Sequence, residues 1–204
     1  MSIMRIMRVS VVLVVCVALA GCSAGGGTSG GGSGGASSPA PTDSVLTAEK
    51  AATKAMEGID PEAALLTAGS GGVVTSPPPK SWTFLYASKA KGRIYQVSVE
   101  HGKASAPEDV APFDPAKIGE SAALPIDSLK VGSKQAYETG KTYLEKRDGF
   151  APPNVLMSIG FVEVTGLEDQ SPGDWLVAFV TGTSTEGMKQ VRVDGQTAEV
   201  TPIE

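Results

Sequence analysis

The chain has 204 residues, with 17 Lys and Arg against 22 Asp and Glu and a formal net charge of −5. An acidic balance argues against nucleic acid as a partner. Only two cysteines, Cys16 and Cys22, are present, so a multiply cross-linked secreted scaffold is excluded.

The first residues read as an export signal. Arg5 and Arg8 form a basic start, and "VSVVLVVCVALA" from Val9 to Ala20 is an apolar run. A spanning helix needs about 20 apolar residues. A basic start, a shorter apolar run and small residues after it describe a secretion signal instead. The next stretch, "LAGC" (Leu19, Ala20, Gly21, Cys22), resembles the bacterial lipoprotein lipobox. That resemblance implies diacylglycerol on the Cys22 sulfur and cleavage between Gly21 and Cys22, so that residues 1–21 are removed. An ordinary signal peptide cut near the same place is the plainer alternative. Small residues let an extended backbone enter a narrow peptidase cleft, and the thiol supplies the sulfur that is alkylated.

Processing would remove Cys16 and leave one acylated cysteine, with no intramolecular disulfide. It would also remove Arg5 and Arg8 and no acid, so 17 basic residues become 15 against 22 acidic, a balance of −7. Such a balance argues against general attraction to anionic lipid. The membrane link expected is the lipid itself, and two or more acyl chains hold stably where one does not.

Residues 22–43 are rich in glycine, serine, alanine and proline. They cannot bury enough apolar surface to offset the entropy of ordering and read as a flexible tether. A glycine-rich coil of about 20 residues has an r.m.s. span of roughly 25 Å. Fits to G-x-G-x-x-G (Gly25, Gly27, Gly30) and to G-x-S-x-G (Gly31, Ser33, Gly35) fall here. Neither follows a strand or opens a helix, as those motifs require.

The folded region begins near Val45. "LTAEKAATKAMEGI" predicts a helix with Thr47 as N-cap, an apolar stripe of Ala51, Ala52, Ala55 and Met56, and a stop at Gly58. "AALLTAG" predicts a short strand, and "SPPPK" a rigid break. "WTFLYAS" and "RIYQVSVEHGKA" predict two strands turning around Lys89 to Gly92. The Pro-, Ala- and acid-rich segment 106–127 reads as a surface connector. "SKQAYETGKTYLEKRDG" predicts a second helix, capped by Ser133, with Ala136, Gly140, Tyr143 and Leu144 on one face and Gly149 as its stop. "NVLMSIGFVEVTG" and "DWLVAFVTG" predict strands. In "MKQVRVDGQTAEV", Asp194-Gly195 predicts a hairpin turn, glycine supplying the positive φ.

The pattern occurs twice. "SWTFLYAS" matches "DWLVAFVT", and "IYQVSVEHGKA" matches "MKQVRVDGQTA". Trp82 and Trp175 lie 93 positions apart, the caps Thr47 and Ser133 86 apart. A few loop residues account for the difference. The fold class expected is α+β, two tandem repeats of a helix and an antiparallel meander, with the helix packed on the sheet. The first repeat spans 44–105 and the second 128–204.

The repeated unit resembles a PepSY-type domain. The capped helices ("TAEKAATKA" and "SKQAYETGKTYL"), the strand-opening Trp82 and Trp175, and the closing "V-x-V-D-G-x-T-x-E-V" (Val191, Val193, Asp194, Gly195, Thr197, Glu199, Val200) carry the resemblance. The first copy departs from it at "VSVEHGKASA", where Asp-Gly-x-Thr is replaced. PepSY units occur in propeptides of secreted metallopeptidases and in exported or lipid-anchored proteins. The resemblance implies an inhibitory or binding role, and supplies no shared catalytic residues.

No credible catalytic or metal set is read from the remaining residues, and no cofactor is expected. His101 is the only histidine, and a transition-metal site would want a second histidine or a cysteine; a solvated turn residue is the simpler reading. Serine–histidine catalysis would need His101 beside an activated serine. "TGKT" (Thr139 to Thr142) hints at a phosphate loop, but Gln135 stands where glycine is needed and the stretch is helical. Glu168, Asp169 and Asp174 cluster around "LEDQSPGD"; weak calcium binding competes there with an ordinary exposed loop. Trp82 and Trp175 are candidate binding anchors, although equivalent places in both repeats favour packing of helix on sheet.

The function expected is a lipid-anchored binding or regulatory module on the extracytoplasmic face of the cell membrane (the outer membrane if the envelope has one). Its partner would be an exported protein, a secreted peptidase or another envelope protein, taken along an exposed strand edge. The alternative is an envelope carrier holding an apolar small molecule or lipid between helix and sheet.

Overall fold

The computed structural model describes residues 44–117, 124–161, 171–182 and 187–203. The lipobox, the tether, Glu168 and Asp169 lie outside the described residues. The body is α+β: two helices and a nine-stranded antiparallel sheet. In chain order the elements are α1 (Ser44–Met56), β1 (Ala64–Gly69), β2 (Ser81–Ser88), β3 (Arg93–Glu100), β4 (Lys103–Ala104), β5 (Glu108–Pro112), α2 (Ser133–Asp148), β6 (Asn154–Gly160), β7 (Asp174–Val180), β8 (Lys189–Asp194) and β9 (Val200–Ile203).

The strands lie in the order β4-β3-β2-β1-β6-β7-β8-β9, with β5 also on the outer side of β3. A helix followed by a meander thus occurs twice, and one sheet holds both. The join is the antiparallel pairing of β1 with β6 through Thr67–Gly160, Ala68–Ile159 and Gly69–Ser158, continued by a bridge between Val74 and Val155.

Both helices cover the same face. Register places Phe84, Ala68, Ile159 and Trp175 in one cross-strand row, and strand side chains alternate, so the inward set follows. It comprises Trp82, Phe84, Tyr86, Tyr95, Val97 and Val99 in the first half, and Val155, Met157, Ile159, Trp175, Val177, Phe179, Val191 and Val193 in the second, all buried. Val45, Ala48, Ala52 and Met56 of α1 and Ala136, Gly140 and Leu144 of α2 complete the layer. These helix positions recur every three or four residues, as a face docked on a sheet must.

The helix starts differ from expectation. α1 begins at Ser44, so Thr47 is an exposed residue of its first turn and no cap. The buried stripe begins earlier, at Val45 and Ala48, and Ala51 and Ala55 sit on its rim. Gly132 occupies the cap position of α2, and Ser133 is its buried first residue. Gly149 stops α2 as expected: its φ is 81°, and its N–H donates to the Glu145 carbonyl.

The segment read as a connector contains a strand. β5 pairs with Arg93–Gln96 of β3, fastened where Arg93 Nε donates to both Asp109 carboxylate oxygens at 2.7 and 2.8 Å. Acids and prolines around a two-residue apolar core ("EDVAP") hide this strand from period counting. They suit the outer edge of a sheet, where charges and proline discourage further pairing.

Candidate functional site

Trp82 and Trp175 meet at the middle of the core, their ring centroids 6.0 Å apart with an interplanar angle of 61°. Their exposures are 1% and 0%. The indole N–H of Trp175 donates to the Val131 carbonyl at 2.8 Å, which ties the chain before α2 to the sheet. Neither ring presents surface to a partner here. One from each half, they hold the halves together by edge-to-face packing.

The other sequence candidates are scattered. His101 is exposed with φ 50°, followed by Gly102 at 74°; two positive-φ residues make the two-residue turn that right-twisted hairpins favour. Gly140, in the middle of "TGKT", lies where α2 presses on the sheet. A Cβ there would come within 2.9 Å of Val191 Cγ2 and 3.3 Å of Phe179 Cε2. Its glycine serves close packing. Asp174 faces Asp194 across β7 and β8, with Arg192 Nε 3.9 Å from its carboxylate. Burial, then Asp194, raises the Asp174 carboxyl above its usual range, and Arg192 offsets part of this. Among the described residues, no group of three or more His, Cys, Asp or Glu is placed to hold a metal ion.

The Asp194-Gly195 turn forms by another route than expected. Positive φ falls on Ala198, at 63°, and not on Gly195. Asp194 accepts hydrogen bonds from the backbone N–H of Gln196 and Thr197, each at 2.7 Å, which holds its carboxyl below the usual range. Gly195 is required for another reason: a Cβ would collide with the Gly173 carbonyl. Its own carbonyl accepts from Lys130 and Val131 N–H.

Two polar groups went unnoticed in the sequence. Asp60, at the end of α1, accepts from Ser88 Oγ at 2.5 Å and from Glu62 N–H at 3.0 Å. Both bonds lower its carboxyl, and the one from Ser88 fastens the turn after α1 to the end of β2. Tyr86 OH lies 3.0 Å from Thr53 Oγ1, and burial pushes its pKa up to about 12. Ser88 lies 28 residues from Asp60 and Tyr86 lies 33 from Thr53, so no local motif marks these pairs.

Three surfaces remain. The sheet edges are guarded: Pro202 sits within β9, opposite Val191, and lacks an N–H. Proline in a strand belongs at an edge with its donor side outward, so a strand adding to β9 would find a donor missing. Beside β9 an open furrow of about 380 Å³ runs along α2, lined by Gln135, Thr139, Thr142, Tyr143 and Val200 among others. Where α2 crosses β7 and β8 at Gly140, the helix sits against Val191 and Phe179 with no room for a methyl. The third surface is the sheet face opposite both helices. Ala87, Ala178 and Val180 are buried there. A central band stays partly exposed: Ser98, Thr83, Ser158, Leu176 and Arg192 in one row, and Gln96, Leu85 and Thr67 in the next.

No protein-family model, curated protein or solved structure matches the chain.

Proposed function

We propose that this chain is a lipid-anchored, extracytoplasmic binding module made of two PepSY-like units, which restrains an exported protein such as a secreted peptidase and performs no chemistry itself. The observation that carries this reading is the partly exposed band on the sheet face opposite the helices. It combines contributions from both halves, has leucines at Leu85 and Leu176 among hydroxyl and amide side chains, and lies on a rigid nine-stranded support. Rigid apolar contacts amid satisfiable polar groups suit recognition of a folded partner. The twofold recurrence of helix and meander, with a tryptophan at the same place in each, supports the duplicated unit. The guarded edges move the expected contact from strand addition to this face. The carrier reading has less support, because α2 is pressed on the sheet at Gly140 and the furrow beside β9 is open.

Cross-linking capture from intact cells tests this. The native protein should capture an exported partner in a saturable manner, and Leu85→Glu with Leu176→Glu should abolish the capture while leaving the circular dichroism unchanged. Equal capture by the folded double variant would exclude this face. A co-purifying lipid without any protein partner would return the carrier.

A further inference from the structure

Phe150 is the single large hydrophobic side chain exposed among the described residues, at 56%. It follows the αL stop of α2, and Lys189 Nζ lies over its ring at 4.7 Å from the centroid. Lys189 also pairs with Asp148 at 2.5 Å, and Asp148 with Arg147 at 2.7 Å. Lys146 is exposed one turn away. An exposed ring with an ammonium on its face presents an apolar surface and a positive charge together.

The same end of the sheet receives the chain from the tether. Thr53 reaches Tyr86 and Asp60 reaches Ser88, so α1 runs toward the Ser88 end of β2. Ser44, where α1 begins, therefore faces the Ser81 end. Thr83, Gly69, Ser158, Leu176 and Arg192 form one row across the sheet. β2 and β8 have the same sense in the alternating order, so Lys80 and Lys189, each three residues before its member of the row, both lie toward the end of the sheet where these two strands start. Lys103 joins them, since it pairs with Glu100 and Glu100 with Ser81. Lys80, Lys103 and Lys146 are exposed. Among the described acids at this end, Asp148 is held by two cations, Glu145 lies 3.6 Å from Lys141, and Glu100 is exposed.

We propose that this end of the molecule docks on an anionic bilayer surface, with Phe150 entering the interface and Lys80, Lys103 and Lys146 facing lipid phosphates. It rests on the anchored reading above, since the tether brings Ser44 to the membrane. Charge is a local matter at this range: the screening length is about 8 Å at physiological salt, so the acidic balance of the whole chain does not forbid a basic end. Amphipathic cations suit the role, with apolar stems along the headgroups and charge at the phosphates. Docked this way, the band around Leu85 and Leu176 stands upright from the membrane and stays open to an exported partner.

The test uses the mature chain purified from cells with its own N-terminus, carrying Phe150→Trp, in vesicles of brominated phosphatidylglycerol and phosphatidylcholine. The mass of the N-terminal peptide reports acylation of Cys22. Interfacial side chains sit roughly 5–10 Å deep, within reach of the bromines. The introduced indole should therefore lose its emission, up to a third of the total, while the buried Trp82 and Trp175 keep theirs. Joint replacement of Lys80, Lys103 and Lys146 by Glu should remove this quenching, as should vesicles of phosphatidylcholine alone. An acylated chain whose introduced indole is quenched no more than the native pair overturns the docking and leaves the anchor standing. A chain without acyl mass overturns the anchored reading, and the docking with it.

Discussion

At the residue scale the two tryptophans and two glycines decide most. Trp175→Ala removes a fully buried ring, its packing on Trp82 and the bond to Val131. Loss of about 3–5 kcal/mol is expected in denaturant unfolding, the usual cost of truncating a core aromatic. Trp175→Phe keeps much of the apolar area and leaves the Val131 carbonyl without its donor, so it should cost less than the alanine change. Gly195→Ala should cost on the order of 3 kcal/mol, near the top of the ordinary range, because the new methyl meets the Gly173 carbonyl. Gly102→Ala has open space around its Cβ and loses only the freedom to hold φ 74°, so it should cost clearly less. The reverse order in thermal melts would show that turn strain outweighs the contact at Gly195. Sequence reading found the turn at Asp194-Gly195 and misassigned the reason. Nothing local announces that Gly173, 22 positions earlier, would crowd it.

At the element scale, what was legible is the period. Alternation marked β2, β3, β7 and β8, and the tryptophans marked equivalent strand starts. The caps were less legible, because Thr47 and Ser133 are good capping residues that happen to lie inside helices, and burial of Val45 and Ala48 decides where α1 starts. β5 was missed because edge strands are built from the charges and prolines that otherwise signal loops. Helix docking gives a sharper test. Gly140→Ala would improve helix propensity by about 1 kcal/mol, yet its methyl would meet the stiff, β-branched Val191. Overpacking typically costs about 1–3 kcal/mol, so a net loss is expected, and adding Val191→Ala should recover part of it. The α2 end is also pH-sensitive. Asp148, hydrogen-bonded by Arg147 and Lys189, is held well below the usual carboxylate range. Its folded value is the lower one, so its contribution is present above the unfolded value of about 3.9 and is lost as pH falls toward the folded one. Lys189→Ala should therefore raise the pH at which acid unfolds the protein, as followed by far-UV circular dichroism.

At the scale of the whole molecule, one sheet and one core make the halves interdependent. A helix-and-strand pattern that recurs does not itself say whether two units stand apart or merge, since pattern fixes each unit and not the pairing between them. The answer lies in Ala68 and Ile159, partners across the β1–β6 seam, with the tryptophan pair beside them. Separating the halves would expose β1 and β6 as unpaired edges and uncover both indoles. Paired strands and a shared core are what make unfolding cooperative in a body of this size. Tryptophan fluorescence, which reports the seam, and circular dichroism, which reports the helices and strands, should thus trace a single coincident transition in urea. A charge at the seam should move both together: Ile159→Lys, burying an unpaired ammonium beside Trp175, should lower the midpoint of the two curves equally or abolish folding outright. Should the fluorescence change shift to lower urea while the helical signal holds its place, the halves would be independent bodies in contact. The band on the far face would then be two smaller surfaces able to move apart, and a partner spanning Leu85 and Leu176 would have to supply the energy that holds them together.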